Sequence, residues 1–390
     1  MTRLILPEPP AELKQLSHRL CRKIDAVLQE SNALPFSRFM EMALYEPGLG
    51  YYAAGLHKLG ASGDFVTAPE LGALFAACLA QQAGELGRAL GSYDILEIGA
   101  GTGNLAADIL LELDESALPD RYLVLERSAD LRRVQKQTLA DRAPHLLKRV
   151  HWLDHPPVDR WQGLLIANEV IDALAVERFQ VTDGHVEQLC VKRAGERYDW
   201  LTAPAPPSLE SAVRNLEDEL GKPFADGYRS ELQLTLPAWL AAVTETLERG
   251  LALFIDYGYP RSEYYLPERS DGTLMCHYRH RAHVDVFFWP GLQDITAWVD
   301  FTALAEAADH CGLDVEGYAS QTLFLLGCGL DRVLADKVAH SDDDGLELSA
   351  EARQLTLPGS MGEKFQVMGL GRGLQDTPAG FSLQDLRYRL

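Results

Sequence analysis

The chain has 390 residues, of which 47% are hydrophobic, and a formal net charge of −21 at pH 7. This length allows one large α/β domain with insertions or two modest domains, and the composition is that of an ordinary globular protein. The acidic balance and the lack of a long lysine and arginine cluster argue against a nucleic-acid-binding protein, and no stretch of about 18 apolar residues predicts a membrane-spanning helix.

The cysteines indicate the cellular compartment. They are Cys21, Cys78, Cys190, Cys276, Cys311 and Cys328. Their scattered positions, without a C-x-x-C pair, are typical of reduced thiols. The N-terminal stretch also lacks the apolar region of a signal peptide. We therefore expect a cytoplasmic location.

Residues 1–90 are predicted to form an N-terminal helical segment with a loop that covers a ligand site. Apolar residues at three- and four-residue spacings predict a helix over residues 10–33. Glycines and a proline predict a loop over 40–55, and the stretch GDFVTAPELG, 63–72, predicts a second loop that leads into a helix.

Alternating strands and helices follow, and they predict an α/β core. Four apolar stretches are predicted strands: YDILEIG (93–99), YLVLER (122–127), GLLIANEV (163–170) and GLALFIDYG (250–258). Helical patterns lie between them, and Ser128 is placed to cap one of these helices. Continuous apolar strands that alternate with helices predict a mostly parallel sheet with helices on both faces. We expect the core at 91–172 and again within 250–390.

Two long connections interrupt this pattern. The segment 173–249 is too long for a simple crossover, and Asp183-Gly184 between alternating runs predicts a β-hairpin in it. We expect an inserted hairpin and helical subdomain, which serves either as a substrate cover or as the arm of a homodimer. The segment 259–300 has little periodicity and is predicted to be a long substrate loop.

The glycine-rich stretch LEIGAGTG, residues 96–103, predicts a nucleoside-binding turn between a strand and a helix. Its glycines, Gly99, Gly101 and Gly103, do not have the G-x-G-x-x-G spacing of dinucleotide-binding folds. Glu97 precedes them, and a carboxylate there suits an ammonium or sulfonium group better than a pyrophosphate. Glu126 ends the next strand, where a carboxylate can accept both ribose hydroxyls. These features favour S-adenosyl-L-methionine, with an NAD- or FAD-dependent oxidoreductase as the alternative.

Several motifs carry a family resemblance. LEIGAGTG and VLE are similar to the first two motifs of class I S-adenosylmethionine-dependent methyltransferases. The ordered segments GDFVTAPELG, LEIGAGTG, ANEVIDALAVERF, IDYGY and PGLQDITAWVDF resemble the MidA-like family, the bacterial relatives of the mitochondrial complex I assembly-factor arginine methyltransferases. The sequence departs from the family pattern at Trp298 and Ala175.

The resemblance implies a Rossmann-like class I methyltransferase fold with an added substrate-facing subdomain. For the mitochondrial members it implies ω-N symmetric dimethylation of a protein arginine, so a protein substrate is expected. Two other functions stay open at this point: a non-catalytic assembly factor that retains cofactor binding, and a small-molecule methyltransferase.

The stretch NEVID offers candidate catalytic residues. Glu169 and Asp172 are three residues apart, just after a predicted strand, and we expect them to clamp a guanidinium acceptor. Asn168 is expected to orient the cofactor or the acceptor. The alternative is structural: Asp172 caps a helix, and Glu169 pairs with an arginine such as Arg178.

The loop before the core is a further candidate for cofactor binding. Thr67 and Glu70 have capping-box spacing, and Pro69 falls in the first helical turn. Thr67 and this helix start are expected to bind the cofactor carboxylate, and Gly63 is expected to allow a close backbone approach. The alternative is an ordinary capped helix.

The remaining candidates concern the acceptor. Asp256 and Tyr257 end a predicted strand and are expected to line the acceptor pocket. His280 is expected to contact substrate, and Asp294 either faces the pocket or caps a helix. The histidines His277, His280 and His283 recur every three residues, but no cysteine or carboxylate completes a ligand set, so we expect no metal.

Overall fold

The computed structural model describes residues 6–54, 68–340 and 345–390. The chain divides into two compact units. Unit 1 consists of the described residues of Met1–Phe65, Asp172–Leu236 and Arg261–Trp298. Unit 2 consists of the described residues of Val66–Ile171, Pro237–Pro260 and Val299–Leu390. The division into four segments made from the sequence stays a prediction.

The described strands are β1 (Leu34–Pro35), β2 (Asp94–Ile98), β3 (Arg121–Leu125), β4 (Val150–Leu153), β5 (Trp161–Asn168), β6 (Glu177–Thr182), β7 (His185–Ala194), β8 (Arg197–Pro204), β9 (Arg229–Leu232), β10 (Leu247–Tyr259), β11 (Met275–Tyr278), β12 (Arg281–His283), β13 (Asp294–Thr296), β14 (Val299–Asp300), β15 (Asp314–Ser320) and β16 (Phe365–Arg372).

The described α-helices are α1 (Ala11–Ser31), α2 (Phe36–Tyr45), α3 (Ala68–Leu71), α4 (Leu74–Leu90), α5 (Asn104–Glu112), α6 (Ala129–Arg142), α7 (Pro207–Leu220), α8 (Leu236–Thr244), α9 (Arg261–Tyr264), α10 (Phe301–His310), α11 (Gln321–Gly327), α12 (Leu330–Ala339) and α13 (Leu346–Thr356). Among the described residues, we find no helix with the length and apolar character needed to cross a membrane.

Unit 2 contains an eight-stranded sheet in the order β15-β16-β10-β5-β2-β3-β4, with β14 paired to β10. Neighbouring strands from β4 to β10 are parallel, and β16 is antiparallel to both of its neighbours. The mostly parallel sheet predicted from the apolar strands is therefore confirmed. All five residues of β2 are buried, as expected for a central strand that helices cover on both faces.

The strand order reverses at β2. The chain goes from β2 to β3 and β4 on one side, and β5 and β10 lie on the other side. In open α/β sheets such a reversal leaves a crevice at the carboxyl ends of the strands, and ligands bind there. The glycine turn follows β2 directly, so the fold places it at this crevice.

Two helices of unit 2 are capped in different ways, one by a neighbouring residue and one by a distant residue. The Ser128 hydroxyl accepts a hydrogen bond from the Leu131 amide and caps α6, as predicted. The N-terminus of α4 is capped by a distant residue, because the Glu351 carboxylate on α13 accepts a 2.7 Å hydrogen bond from the Leu74 amide. The predicted single helix after Pro69 is two helices, α3 and α4.

Unit 1 is built from antiparallel strands. Its larger sheet has the order β1-β7-β6-β9, with β8 paired to β7. The predicted hairpin joins β6 to β7, and its turn residues Asp183 and Gly184 have φ of 49° and 75°. This conformation is typical of the two-residue turns that asparagine, aspartate and glycine favour. The hairpin prediction is confirmed.

Two loop predictions in unit 1 were wrong over part of their length. The segment 259–300 contains the antiparallel sheet β12-β11-β13, whose strands are too short to show a period. Helix α2 extends into the predicted loop 40–55, because its apolar residues Met40, Ala43 and Leu44 pack in the unit 1 core. The glycines and the proline that follow in the sequence favoured a loop over this helical spacing of apolar residues.

Candidate active site

The glycine turn has the backbone that its sequence predicts. Gly99, Gly101 and Gly103 have φ of 69°, 52° and 85°, a region that residues with a side chain rarely adopt. A Cβ atom on Gly103 would lie 3.0 Å from the Cα atom of Gln135. The turn therefore lies close against α6, and Gly103 immediately precedes α5.

Glu97 is buried in the sheet, and 3% of its surface is exposed. The Tyr122 hydroxyl donates a 2.8 Å hydrogen bond to its Oε2 atom. The pKa of Glu97 is raised to about 7: burial raises it most, the Tyr122 hydrogen bond lowers it, and the negative charge of Glu126 raises it. A cation near this carboxylate would favour its ionised form.

Glu126 is the second buried carboxylate at this edge of the sheet. Its Oε1 atom accepts a 2.8 Å hydrogen bond from the Ser128 amide, and its Oε2 atom accepts a 3.1 Å hydrogen bond from Gln135 Nε2. Burial raises the pKa of Glu126, and these hydrogen bonds oppose that effect. Each carboxylate oxygen has a further lone pair with which it can accept a ligand hydroxyl.

Asn168 ends β5, and Glu169 follows it with an unusual backbone conformation. The Asn168 Nδ2 atom donates a 3.1 Å hydrogen bond to Glu169 Oε1, and Glu169 has a positive φ of 53°. The Asn168 Oδ1 atom is buried and has no hydrogen-bond partner in the part of the chain that the structure describes. A buried acceptor without a donor is costly, so this atom suits a ligand that brings a donor group.

Asp256 supports the segment that follows β5. Its carboxylate is buried and accepts hydrogen bonds from the Ile171 amide at 3.0 Å and the Tyr257 amide at 2.9 Å. The ring of Tyr257 packs against Phe365. These contacts give Asp256 a supporting role, and direct contact of either residue with an acceptor stays a prediction.

Unit 1 contains a group of two tyrosines and two buried aspartates, which we call the acid–tyrosine cluster: Tyr45, Tyr52, Asp172 and Asp294. The two tyrosine rings are stacked with their centroids 5.5 Å apart. The Tyr52 hydroxyl donates a 2.9 Å hydrogen bond to Asp294 Oδ1. Burial raises the pKa of Tyr52 well above its usual value, and the charges of Asp294 and Asp172 add to this effect.

The structure decides the helix-cap alternative left open for Asp172 and Asp294. Asp294 belongs to β13 and Asp172 to a turn, so the interpretation of either as a helix cap was wrong. Arg178 pairs with Glu231 at 3.3 Å and Asp271 at 3.0 Å within unit 1. These two carboxylates are the structural partners of that arginine.

The histidine-rich stretch forms the β11–β12 hairpin. His277 lies on β11 and His283 on β12, and His280 is in the turn between them with φ of 59°. Within residues 6–54, 68–340 and 345–390, no group of three or more histidine, cysteine, aspartate or glutamate side chains is arranged to hold a metal ion. Contact between His280 and a substrate stays a prediction.

The predicted cofactor loop is only partly described. Gly63 and Thr67 lie outside the described residues, and Pro69 lies in α3, which has four residues. The described part shows a contact that the sequence analysis missed. Glu70 accepts hydrogen bonds from Thr102 Oγ1 at 2.5 Å and Asn104 Nδ2 at 3.1 Å, so it holds the glycine turn.

Comparisons with known proteins agree with this arrangement. A family model described as "putative S-adenosyl-L-methionine-dependent methyltransferase" matches residues 74–319. The protein arginine methyltransferase NDUFAF7 homolog of Drosophila melanogaster, named as mitochondrial, is 27% identical over 94% of this chain and 90% of its own length. The mouse protein arginine methyltransferase NDUFAF7, also named as mitochondrial, is 28% identical over 93% of this chain and 86% of its own length.

A solved structure is similar over nearly the whole chain. It is a "likely methyl transferase" from Burkholderia thailandensis bound to S-adenosyl-homocysteine, 37% identical, with a TM-score of 0.92, and the match covers 99% of this chain and 100% of that one. A native structure of a protein from the same organism is 38% identical, with a TM-score of 0.90, over the same shares of the two chains.

Proposed function

Because the chain belongs to this family of S-adenosyl-L-methionine-dependent methyltransferases, we propose that it methylates an arginine of a protein substrate. S-adenosyl-L-methionine as the cofactor and methyl transfer as the reaction follow from the family and from its structural relative bound to S-adenosyl-homocysteine. We propose, beyond this, that the methyl acceptor is an arginine and that individual residues have the roles given below.

The residues around the glycine turn fit this cofactor. Gly99, Gly101 and Gly103 allow close approach of a ligand to the backbone, and the buried Glu97 carboxylate suits a cationic group. Glu126 would accept the ribose hydroxyls, and the Asn168 Oδ1 atom would accept a donor from the ligand. When bound, the cofactor supplies an electrophilic methyl group on a positively charged sulfur.

The segment 63–72 is proposed to contribute further contacts to the cofactor site. Gly63, Thr67 and Pro69 are proposed to contact the cofactor, on the sequence argument alone. Glu70 would act indirectly, since it holds Thr102 and Asn104 at the tip of the glycine turn. The proposed cofactor site therefore combines residues from the loop, the turn and the ends of β2, β3 and β5.

The acid–tyrosine cluster is the observation that carries the arginine proposal. A guanidinium is planar and keeps its charge at neutral pH, because its pKa lies above about 12. Carboxylates bind it through charge-assisted hydrogen bonds, and aromatic rings stack on its face. Asp172 and Asp294 beside the stacked Tyr45 and Tyr52 provide both kinds of contact. The protein arginine methyltransferases of fly and mouse, which match most of the chain, favour the same acceptor.

Glu169 and Asp172 are proposed to act as the catalytic pair. Glu169 follows β5 in unit 2 and Asp172 belongs to unit 1, so their joint role rests on their separation of three residues in the chain. Carboxylates at these positions would localise the guanidinium charge and orient one nitrogen for in-line attack. Methylation of that nitrogen releases a proton, for which a carboxylate is a suitable acceptor.

Radiolabelled methyl transfer tests the proposal. The purified protein is incubated with S-adenosyl-L-methionine, tritiated on its methyl group, and with lysate from cells that lack the protein. Labelled proteins are then hydrolysed and their amino acids are separated. We expect label in methylated arginines. Asp172→Asn should remove it, whereas Glu41→Gln, at an exposed position on α2, should not. Label in another amino acid or only in small molecules would refute the arginine acceptor, and cofactor binding without any label would favour a non-catalytic binding module.

Two further proposals concern the setting of the enzyme. All six cysteines are free thiols, which supports a reducing compartment, and we propose the cytoplasm. Cell fractionation with a specific antibody tests this location. A homodimer, one of the two roles that the sequence left open for the segment 173–249, is also a proposal, and light scattering of the purified protein would give its mass in solution.

A further inference from the structure

A single glutamine side chain connects three parts of the cofactor site in unit 2. Gln135 on α6 is fully buried. Its Nε2 atom donates hydrogen bonds of 3.1 Å to the Gly101 carbonyl oxygen and of 3.1 Å to Glu126 Oε2. Its Oε1 atom accepts a 3.0 Å hydrogen bond from the indole nitrogen of Trp152. The amide therefore links the glycine turn, the end of β3 and strand β4.

The chemistry of these partners determines the orientation of the Gln135 amide. The indole N–H of Trp152 is only a donor, so it must face the amide oxygen. The Gly101 carbonyl and the ionised Glu126 carboxylate are only acceptors, so they must face the NH2 group. A flipped amide would lose all three hydrogen bonds. Trp152 thus fixes which side of the amide faces Glu126.

The network limits how Glu126 can move. Gln135 Nε2 holds one oxygen of Glu126, and the Ser128 amide holds the other at 2.8 Å. With both oxygens held, the remaining lone pairs of the carboxylate have fixed directions. A fixed carboxylate can accept two neighbouring hydroxyls at once, whereas a rotating one must first be ordered.

We propose that Gln135 is a positioning residue which, through Glu126, sets the preference of the enzyme for a nucleoside with both ribose hydroxyls, and that Trp152 orients the Gln135 amide. The inference rests on the proposed role of Glu126 as the ribose acceptor. It adds a residue that would not touch the ribose and that lies on the neighbouring helix.

Ligand pairs that differ by one hydroxyl test this role. Dissociation constants of S-adenosylhomocysteine and of its 2′-deoxy analogue are measured by calorimetry on the full chain. The informative variant is Gln135→Met, which keeps the length of the side chain and removes its hydrogen bonds. We expect this variant to weaken the binding of S-adenosylhomocysteine about tenfold or more, and the binding of the 2′-deoxy analogue less than about threefold. The difference is expected because hydrogen bonds to a charged group are the strong ones.

Matched variants separate positioning from a general loss of structure. Gln137 lies on the exposed side of the same helix, where it donates a hydrogen bond to Asp141. Gln137→Met should therefore leave both dissociation constants unchanged. Trp152→Phe keeps an aromatic ring but removes the N–H, and should reduce the preference for the ligand with both ribose hydroxyls by a smaller factor than Gln135→Met does. If Gln135→Met does not fold, Trp152→Phe carries the test.

The outcomes distinguish this inference from the proposal on which it rests. If Glu126→Gln keeps the full preference for the 2′-hydroxyl, the proposed ribose role of Glu126 is wrong. If Glu126→Gln loses the preference and the folded Gln135→Met and Trp152→Phe keep it, the inference is overturned. The double variant should match Glu126→Gln alone, because Gln135 acts through Glu126.

Discussion

Tyr122 donates a hydrogen bond of 2.8 Å to Glu97 from the neighbouring parallel strand of the same sheet. Both side chains are buried. Even with this donor, burial raises the pKa of Glu97 to about 7. The carboxylate next to the glycine turn is therefore only partly ionised at neutral pH in the free protein, and its charge is available to respond to a cationic ligand.

Cofactor affinity should rise with pH around neutrality. With a pKa of about 7, the ionised fraction of Glu97 increases between pH 6 and 8. The sulfonium of S-adenosyl-L-methionine is permanently charged and favours the ionised carboxylate, so the affinity should increase by up to about tenfold over this range. Calorimetric titrations at several pH values measure the change. Glu97→Gln should give a flat profile, and a wild-type profile that is flat as well would contradict a contact between Glu97 and the cationic group.

The same carboxylate should lower the stability of the free protein at high pH. The pKa of Glu97 is raised from 4.5 to about 7 in the fold, so its ionised form is disfavoured there. The stability gained from the preference of the fold for the protonated side chain is complete below pH 4.5 and is lost as the pH rises through about 7. Glu97→Gln should therefore be more stable than the wild type by on the order of 1–3 kcal/mol at pH 8, with a smaller difference at pH 5. Urea unfolding at both pH values tests the sign, which would be reversed if the carboxylate were stabilising.

The cap that Glu351 provides to α4 should contribute to stability and not to cofactor binding. Its carboxylate accepts hydrogen bonds from the first amides of the helix, at Leu74 and Phe75. Glu351→Ala should cost about 1–2 kcal/mol of unfolding free energy, the usual range for a lost helix cap. Glu347→Ala on the exposed side of α13 is the control. A large loss of S-adenosylhomocysteine affinity in folded Glu351→Ala would show that the role is not confined to the helix.

Asp256 should be needed for the shape of the segment after β5. Its two oxygens accept hydrogen bonds from the Ile171 and Tyr257 amides. Asp256→Ala removes both of these hydrogen bonds and should destabilise the fold by about 2–4 kcal/mol, whereas Asp256→Asn keeps one acceptor oxygen and should cost less. The exposed Asp314→Asn on β15 serves as the control. Equal stabilities of Asp256→Ala and wild type in urea would rule out this supporting role.

The parts of the fold that the sequence predicts are those whose signals are local. The glycines of LEIGAGTG, the hairpin turn at Asp183-Gly184 and the Ser128 cap each need only a few neighbouring residues to be recognised. The apolar strands around them predict the parallel sheet for the same reason. Strands β11, β12 and β13 were missed because three or four residues are too few to show a period.

The contacts that support the candidate site and the helices of unit 2 join residues far apart in the chain. Glu70 meets Thr102 across 32 residues, and Gln135 meets Gly101 across 34. The Glu351 contact with Leu74 spans 277 residues. A glutamate or glutamine on a helix has no local pattern that names such a partner. These positioning contacts are therefore visible only when the sheet and its helices are assembled.

Glu169 should contribute to turnover far more than to cofactor binding. The proposal gives it contact with the acceptor, and its hydrogen bond with Asn168 would be kept by a glutamine, which retains an acceptor oxygen. Glu169→Gln should reduce the initial rate of tritiated methyl transfer about 100-fold or more, while the dissociation constant of S-adenosylhomocysteine changes less than about threefold. The exposed Glu248→Gln is the matched control. Equal losses of rate and affinity would identify Glu169 as a residue that contacts the cofactor. S-adenosylhomocysteine binds without the methyl-accepting substrate, so the loss of a contact to that substrate cannot weaken its binding.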